Sequence, residues 1–141
     1  MSDYATNEAL FTKPEGWVDG STNVVHFPKS QHLLKFMMMR TPASGKTLDQ
    51  YVETQTKELA KRTPFFEITS RGERTIAGKR ALWMKCGSRE PDGEMSHLRA
   101  ALQVGDEYLL LMFVAKATGE AEVNAAFERA IGSIKFRDAN A

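Results

Sequence analysis

Cysteine is almost missing from this chain: Cys86 alone in 141 residues leaves no internal disulfide partner and no thiolate cluster for a metal. Histidine is nearly as scarce. His26, His32 and His97 are scattered, with neither the helical two-histidine spacing nor the CxxC linkage of a metal site, so no metal and no cofactor is expected. Charge of one sign is absent too. Nineteen Lys and Arg against eighteen Asp and Glu, without a basic block, remove the electrostatic footprint of a nucleic-acid or membrane-surface binder. No apolar run approaches the about 20 residues of a membrane span, and Met1 to Glu8 lack the basic and apolar regions of a signal peptide. The expectation is a cytoplasmic protein that does not insert into the bilayer. Repeats, linkers and low-complexity stretches are lacking as well, and the length suits one domain spanning residues 1–141.

What is present is methionine, concentrated in Leu33-Leu34-Lys35-Phe36-Met37-Met38-Met39-Arg40. At strand spacing this run places Leu33, Met37 and Met39 on one face and Leu34, Phe36 and Met38 on the other, so neither face can be left to water. A doubly covered core strand has this pattern. Methionine also re-packs at little cost and is over-used where a surface must accept irregular apolar partners.

Around this strand the punctuation is regular. An extended start near Leu10 to Thr12 is followed by turns at Pro14-Glu15-Gly16 and Asp19-Gly20, a strand from Thr22 to Phe27, a break at Pro28 and the methionine strand from Gln31 to Arg40. Thr47 with Gln50 three residues on is a capping box that starts a helix, and Thr63-Pro64 stops it near Arg62. Four turn-linked strands follow: Phe65 to Thr75, Arg80 to Ser88, Met95 to Val104 and Tyr108 to Ala115. A second helix from Thr118 to Gly132 carries the stripe Val123, Phe127, Ala130 and Ile131, and Ile134 to Phe136 could add a short strand. The order predicts an α+β fold, a central antiparallel sheet of about six or more strands with two main helices, in which the methionine strand and the Tyr108 strand lie centrally.

Catalytic motifs do not survive inspection. Ser44-Gly45-Lys46-Thr47 sits between strand and helix like a phosphate-binding loop, but Arg40 stands where that motif needs glycine and Pro42 removes a backbone donor. Ser70, Ser88 and Ser96 lack the glycine-flanked elbow of a serine hydrolase. Lys85 beside Cys86 points to the opposite face of its strand and cannot activate the thiol. Glu94 and His97 share a hairpin and are the one pair open to acid-base work, although acidic residues collect at hairpin turns anyway. No enzyme is expected.

Two glutamines are more informative. In the first helix, Leu48, Val52, Gln55 and Leu59 form one stripe, so Gln55 lies on the apolar face and needs partners there. On the third meander strand, His97, Arg99, Ala101 and Gln103 share a mixed-polarity face beside the sheet centre. Amides next to methionine-rich surface suit an apolar segment that carries polar spots.

The opening pattern Asn7-Glu8-Ala9-Leu10-Phe11, Pro14, Gly16-Trp17, Asp19, Ser21, Asn23-Val24, with Tyr51-Val52 and Gln55 in the first helix, resembles the DcrB-like family that includes the effector-associated (Eag) chaperones of bacterial type VI secretion. The resemblance extends through the meander and the last helix. It implies a Mog1/PsbP-like sandwich that forms a homodimer, binds the N-terminal transmembrane helices of a secreted effector, and shields them until they are loaded onto the secretion spike. By position it assigns client contact to Val24, His26, Met37 and Met39 on the early strands, with Gln55 and Gln103 in the glutamine role. His26 stands where an aliphatic residue is expected. The rival reading is a small hydrophobic-ligand carrier or a hydrolase that uses the same concave face, with His97 and Glu94 as its working pair.

Overall fold

Tyr108 to Val114 are apolar without interruption, which a strand with one wet face cannot tolerate, and the chain buries them on both sides. The computed structural model describes residues 2–5, 10–13, 22–27, 29–91 and 93–136. Its main sheet has six antiparallel strands: β3 (Thr22–His26), β4 (Lys35–Pro42), β5 (Glu67–Ile76), β6 (Lys79–Glu90), β7 (Gly93–Val104) and β8 (Glu107–Lys116), in spatial order β3-β4-β8-β7-β6-β5. Two short strands, β1 (Ser2–Ala5) and β2 (Leu10–Lys13), pair with each other in a separate sheet. The turns at 14–16 and 19–20, and Asn7, Glu8, Ala9, Trp17 and Ser21 of the opening pattern, lie outside the described residues.

The meander follows the expected strands with ends shifted by a residue or two. Its β5–β6 turn is Ala77-Gly78, both at positive φ (49° and 81°), the conformation whose twist matches a two-residue hairpin. Helix α1 (Leu48–Arg62) starts at the capping box: Thr47 Oγ1 accepts from the Gln50 amide at 3.1 Å and Gln50 Oε1 accepts from the Thr47 amide at 2.9 Å. Thr47→Ala is expected to lower the unfolding free energy by about 1 kcal/mol, read from the shift of a urea transition at unchanged slope.

The helices cover opposite sheet faces. Helix α2 (Glu120–Ser133), entered through a 3₁₀ turn at Ala117–Gly119, buries Val123 and Phe127 against Leu98, Ala100 and Leu102 of β7 and Leu111, Phe113 and Ala115 of β8. Phe36 and Met38 of β4 pack on this side. Helix α1 sets Leu48 and Tyr51 on Ala101, Tyr108 and Leu110, and Tyr51 stacks on Tyr108 with ring centroids 4.6 Å apart. The helical stripe is therefore wider than Leu48, Val52, Gln55 and Leu59, because Tyr51 at i+3 is the more deeply buried residue and the last three are only half-buried.

Two expectations need correction. The methionine strand begins at Lys35 and not at Gln31, and Leu33 is off the strand, at φ 58° and 54% exposed. The preceding turn is tied to the far end of β8: the His32 carbonyl accepts from the Lys116 amide at 2.8 Å and His32 Nδ1 lies 3.0 Å from Thr118 Oγ1. His32 packs so tightly there that a Cβ on Gly119 would come within 2.5 Å of the His32 Cβ, which leaves glycine as the residue that fits. Ile134 to Phe136 form no strand and join neither edge of the sheet. Ile134 and Phe136 instead pack on the α2-side core.

Candidate functional site

Strand alternation and register together decide which residues share the α1 face. Val24 is opposite Met37, Met37 opposite Met112, Met112 opposite Arg99, and Arg99 opposite Met84. The result is one row across five strands, spanning roughly 19 Å at the usual strand spacing, with three methionines around a single guanidinium. The next row toward the start of α1 contains Met39, Leu110, Ala101 and Leu82, and α1 packs over it. On the other side follow His26, Lys35, Val114, His97 and Cys86.

Exposure falls from the edge inward. Val24 on edge strand β3 is 46% exposed, Met37 and Met39 are half-buried, and Met112 is buried. Met37 packs against the cluster of Met95, Met112 and Val114. Flexible thioethers thus line an apolar band that continues outward to an exposed edge.

Val24, His26, Met37 and Met39 therefore lie together on one patch, with His26 exposed at its margin opposite Lys35. Gln55 is adjacent: with Tyr51, Val52, Thr56, Met84 and Arg99 it lines a cavity of about 20 Å³ between α1 and the sheet, room for about one water. Gln103 stands apart. It shares the face by register, opposite Tyr108, but sits exposed at the β7–β8 turn, where its Nε2 donates to the Gly105 carbonyl at 3.1 Å. Met112, Met84 and Arg99 join the band without having been assigned to it from sequence. The alternation of β7 by itself puts Arg99 on its mixed face, whereas the neighbour on each side follows only from the strand pairing.

Arg99 is 8% exposed and makes no hydrogen bond or ion pair among the described residues, and its Nε is buried without a partner. Burial pulls its guanidinium below its ordinary range. The same surroundings depress His97 to about 4, first through burial and then through the positive charges of Arg99 and Lys35, while Ser88 Oγ lies 3.0 Å from its Nε2. A histidine held neutral binds fewer protons folded than unfolded, so its contribution is complete above its unfolded value near 6.5 and is lost as the pH falls toward 4. Lowering the pH from 7 to 4.5 is expected to destabilise the protein by up to about 3 kcal/mol through this group. His97→Gln should flatten that stretch of the stability–pH curve in urea titrations.

The acid-base pair is absent. Glu94 and His97 are on opposite faces of β7, and Glu94 faces Arg89 at 3.5 Å. Cys86 is buried and its thiol is pushed up to about 11 by desolvation, with Lys85 on the other face. Gly45-Lys46-Thr47 is a loop and helix cap, and the Tyr108 hydroxyl donates to the Lys46 carbonyl. Among the described residues, no group of three or more His, Cys, Asp or Glu could hold a metal, and no helix is long and apolar enough to cross a membrane.

The sequence model of the DcrB family matches residues 8–133. Protein PA94 of Pseudomonas aeruginosa, a protein of unknown function, has the same fold with a TM-score of 0.84 at 19% identity over 99% of each chain. LpqN, involved in cell envelope biogenesis of Mycobacterium tuberculosis, aligns at 0.57 and 12% identity over 81% of this chain and 82% of its own. Cyanobacterial PsbP (CyanoP) from Synechocystis sp. PCC 6803 aligns at 0.54 and 10% identity over 94% and 89%. The architecture is thus the Mog1/PsbP-like α+β sandwich. No curated protein sequence matches this chain.

Proposed function

The chain belongs to the DcrB family, and from that premise we propose that it is a type VI secretion chaperone that shields the N-terminal transmembrane helices of a secreted effector in the cytoplasm. The observation that carries this reading is the continuous apolar band Val24–Met37–Met112 with Met39 beside it, which runs from the interior of the sheet out to an exposed edge strand. A membrane helix in water exposes apolar surface worth roughly 25 cal/mol per Å² when covered, and a band of re-packing methionines can cover helices of differing shape. Gln55, at the boundary between α1 and the band, is half-buried and can answer a polar spot on the client. Handover to the spike requires only that binding be reversible; no turnover and no cofactor enter.

A homodimer completes the reading. β3 is an edge strand with Val24 46% and Val25 50% exposed, so a second copy could extend the shelter along this side. For the small-ligand alternative, the cavity beneath α1 has room for about one water, and the wider cleft of about 640 Å³ beside it is rimmed by Asp49, Glu53, Lys57, Arg71 and Glu73, charged side chains that suit a small hydrophobic ligand poorly. Co-expression with the apolar N-terminal segment of an effector encoded beside this chain tests the proposal. A soluble complex of two chains and one client, read by light scattering, is the expected result; a client that stays insoluble beside a monomeric protein contradicts it.

A further inference from the structure

We propose that Arg99 is a receptor for an acidic side chain on the client, so that the apolar segment taken up by this face carries an aspartate or glutamate within its span. This rests on the chaperone reading above.

Three observations support it. Arg99 stands toward the inner end of the band, between Met112 and Met84, and lines the cavity under α1 together with Gln55. It is 8% exposed, yet no carboxylate among the described residues pairs with it. Arg74, held by Glu128, and Arg80, held by Asp49 and Glu73, show that pairing is available in this fold. Core strands almost never carry an unpaired guanidinium, and methionine at position 99 would match its row neighbours without the desolvation cost.

The consequence for binding follows from when that cost is incurred. An ion pair buried at an interface gains little when both partners must be stripped of water on association. Here the Arg99 Nε is already stripped of water in the free protein, so part of the desolvation cost is met before an arriving carboxylate recovers interaction with the guanidinium. Neutral Gln, with a single and weaker acceptor oxygen, recovers less. The planar fork also donates to both carboxylate oxygens at once, which fixes the register of the client helix on the band. An acidic residue is rare and costly within a membrane span, so such a site would distinguish its client from ordinary membrane helices.

The test uses three dye-labelled peptides of about 20 Leu and Ala residues with terminal lysines, identical except for a central Glu, Gln or Leu. Their affinities for the full chain are measured by fluorescence anisotropy at pH 7.5. The Glu peptide is expected to bind about tenfold or more tightly than the Gln peptide, a preference that Arg99→Met abolishes and Arg99→Lys reduces. Equal binding of Glu and Gln peptides to the natural protein overturns the inference while leaving the chaperone reading intact, as does a preference that persists in Arg99→Met. Failure of all three peptides to bind overturns the chaperone reading and the inference with it. Should Arg99→Met not fold, the ranking on the natural protein and its reduction in Arg99→Lys decide.

Discussion

Phe127→Ala is expected to lower the unfolding free energy by about 3–5 kcal/mol, the usual cost of deleting a buried aromatic ring that its surroundings cannot replace. Phe127 is 2% exposed and is the main anchor of α2 on the sheet. Its ring meets Phe113 edge to face, centroids 5.9 Å apart at 85°, and the Arg74 guanidinium lies 5.6 Å from its centroid. Around it stand Leu111, Ala115 and Val123, residues of nearly complete burial on two rigid elements, so the cavity cannot collapse. Phe127→Leu should cost clearly less, since it keeps most of the volume. Urea unfolding followed by circular dichroism measures both. A loss below about 1 kcal/mol for the alanine variant would mean that α2 is not docked as described.

Val24→Asp is expected to weaken client binding by more than tenfold while shifting stability by less than about 0.5 kcal/mol. The two effects separate because Val24 is nearly half exposed on an edge strand, where a carboxylate stays hydrated in the free protein. In the complex the same carboxylate would have to be buried against an apolar helix without a partner, at a cost of several kcal/mol. Met37 and Met39 are less clean probes, since Met37 packs on Met112 and Val114 and Met39 on the α1 cluster, so an acid at either position also disturbs the core. Val25→Asp is the matched control, an equally exposed neighbour directed to the opposite face. If Val24→Asp and Val25→Asp impair binding equally, the client does not lie on the α1 face.

Much of the fold could be read from the sequence because its signals were local. The capping box at Thr47 and Gln50, the turns at Ala77-Gly78 and Gly105-Asp106, and the unbroken apolar run of β8 each specify their element within a few residues. The expectations that failed depended on contacts distant in sequence. Leu33 continues an apolar run but is turned out because His32 is fastened to Lys116 and Thr118. Ile134 and Phe136 read as a strand but are drawn onto the α2-side core, whose residues come mainly from β7 and β8.

The site shows the same division. Period-2 alternation placed Met37 and Met39 on one face of β4, yet the register that adds Val24, Met112, Arg99 and Met84 exists only once the strands pair in the order β3-β4-β8-β7-β6. Gln55 was visible as an amide on an apolar helical stripe, and it borders the band. Gln103 carried the same signal from its strand, but its place at the β7–β8 turn supplies a local acceptor in the Gly105 carbonyl. Arg99 carried no sequence signal of its unpaired state, which depends on the absence of any carboxylate from the described residues that surround it.

The most direct measurement is site-specific photo-crosslinking during co-expression with the effector's apolar N-terminal segment, with benzoylphenylalanine replacing Val24 on the α1 face or Ala125, exposed on α2, in separate preparations. Crosslinks to the client from position 24 and none from position 125 are the predicted result; crosslinks from position 125 with none from position 24 would place the client on the other side of the sheet and contradict it.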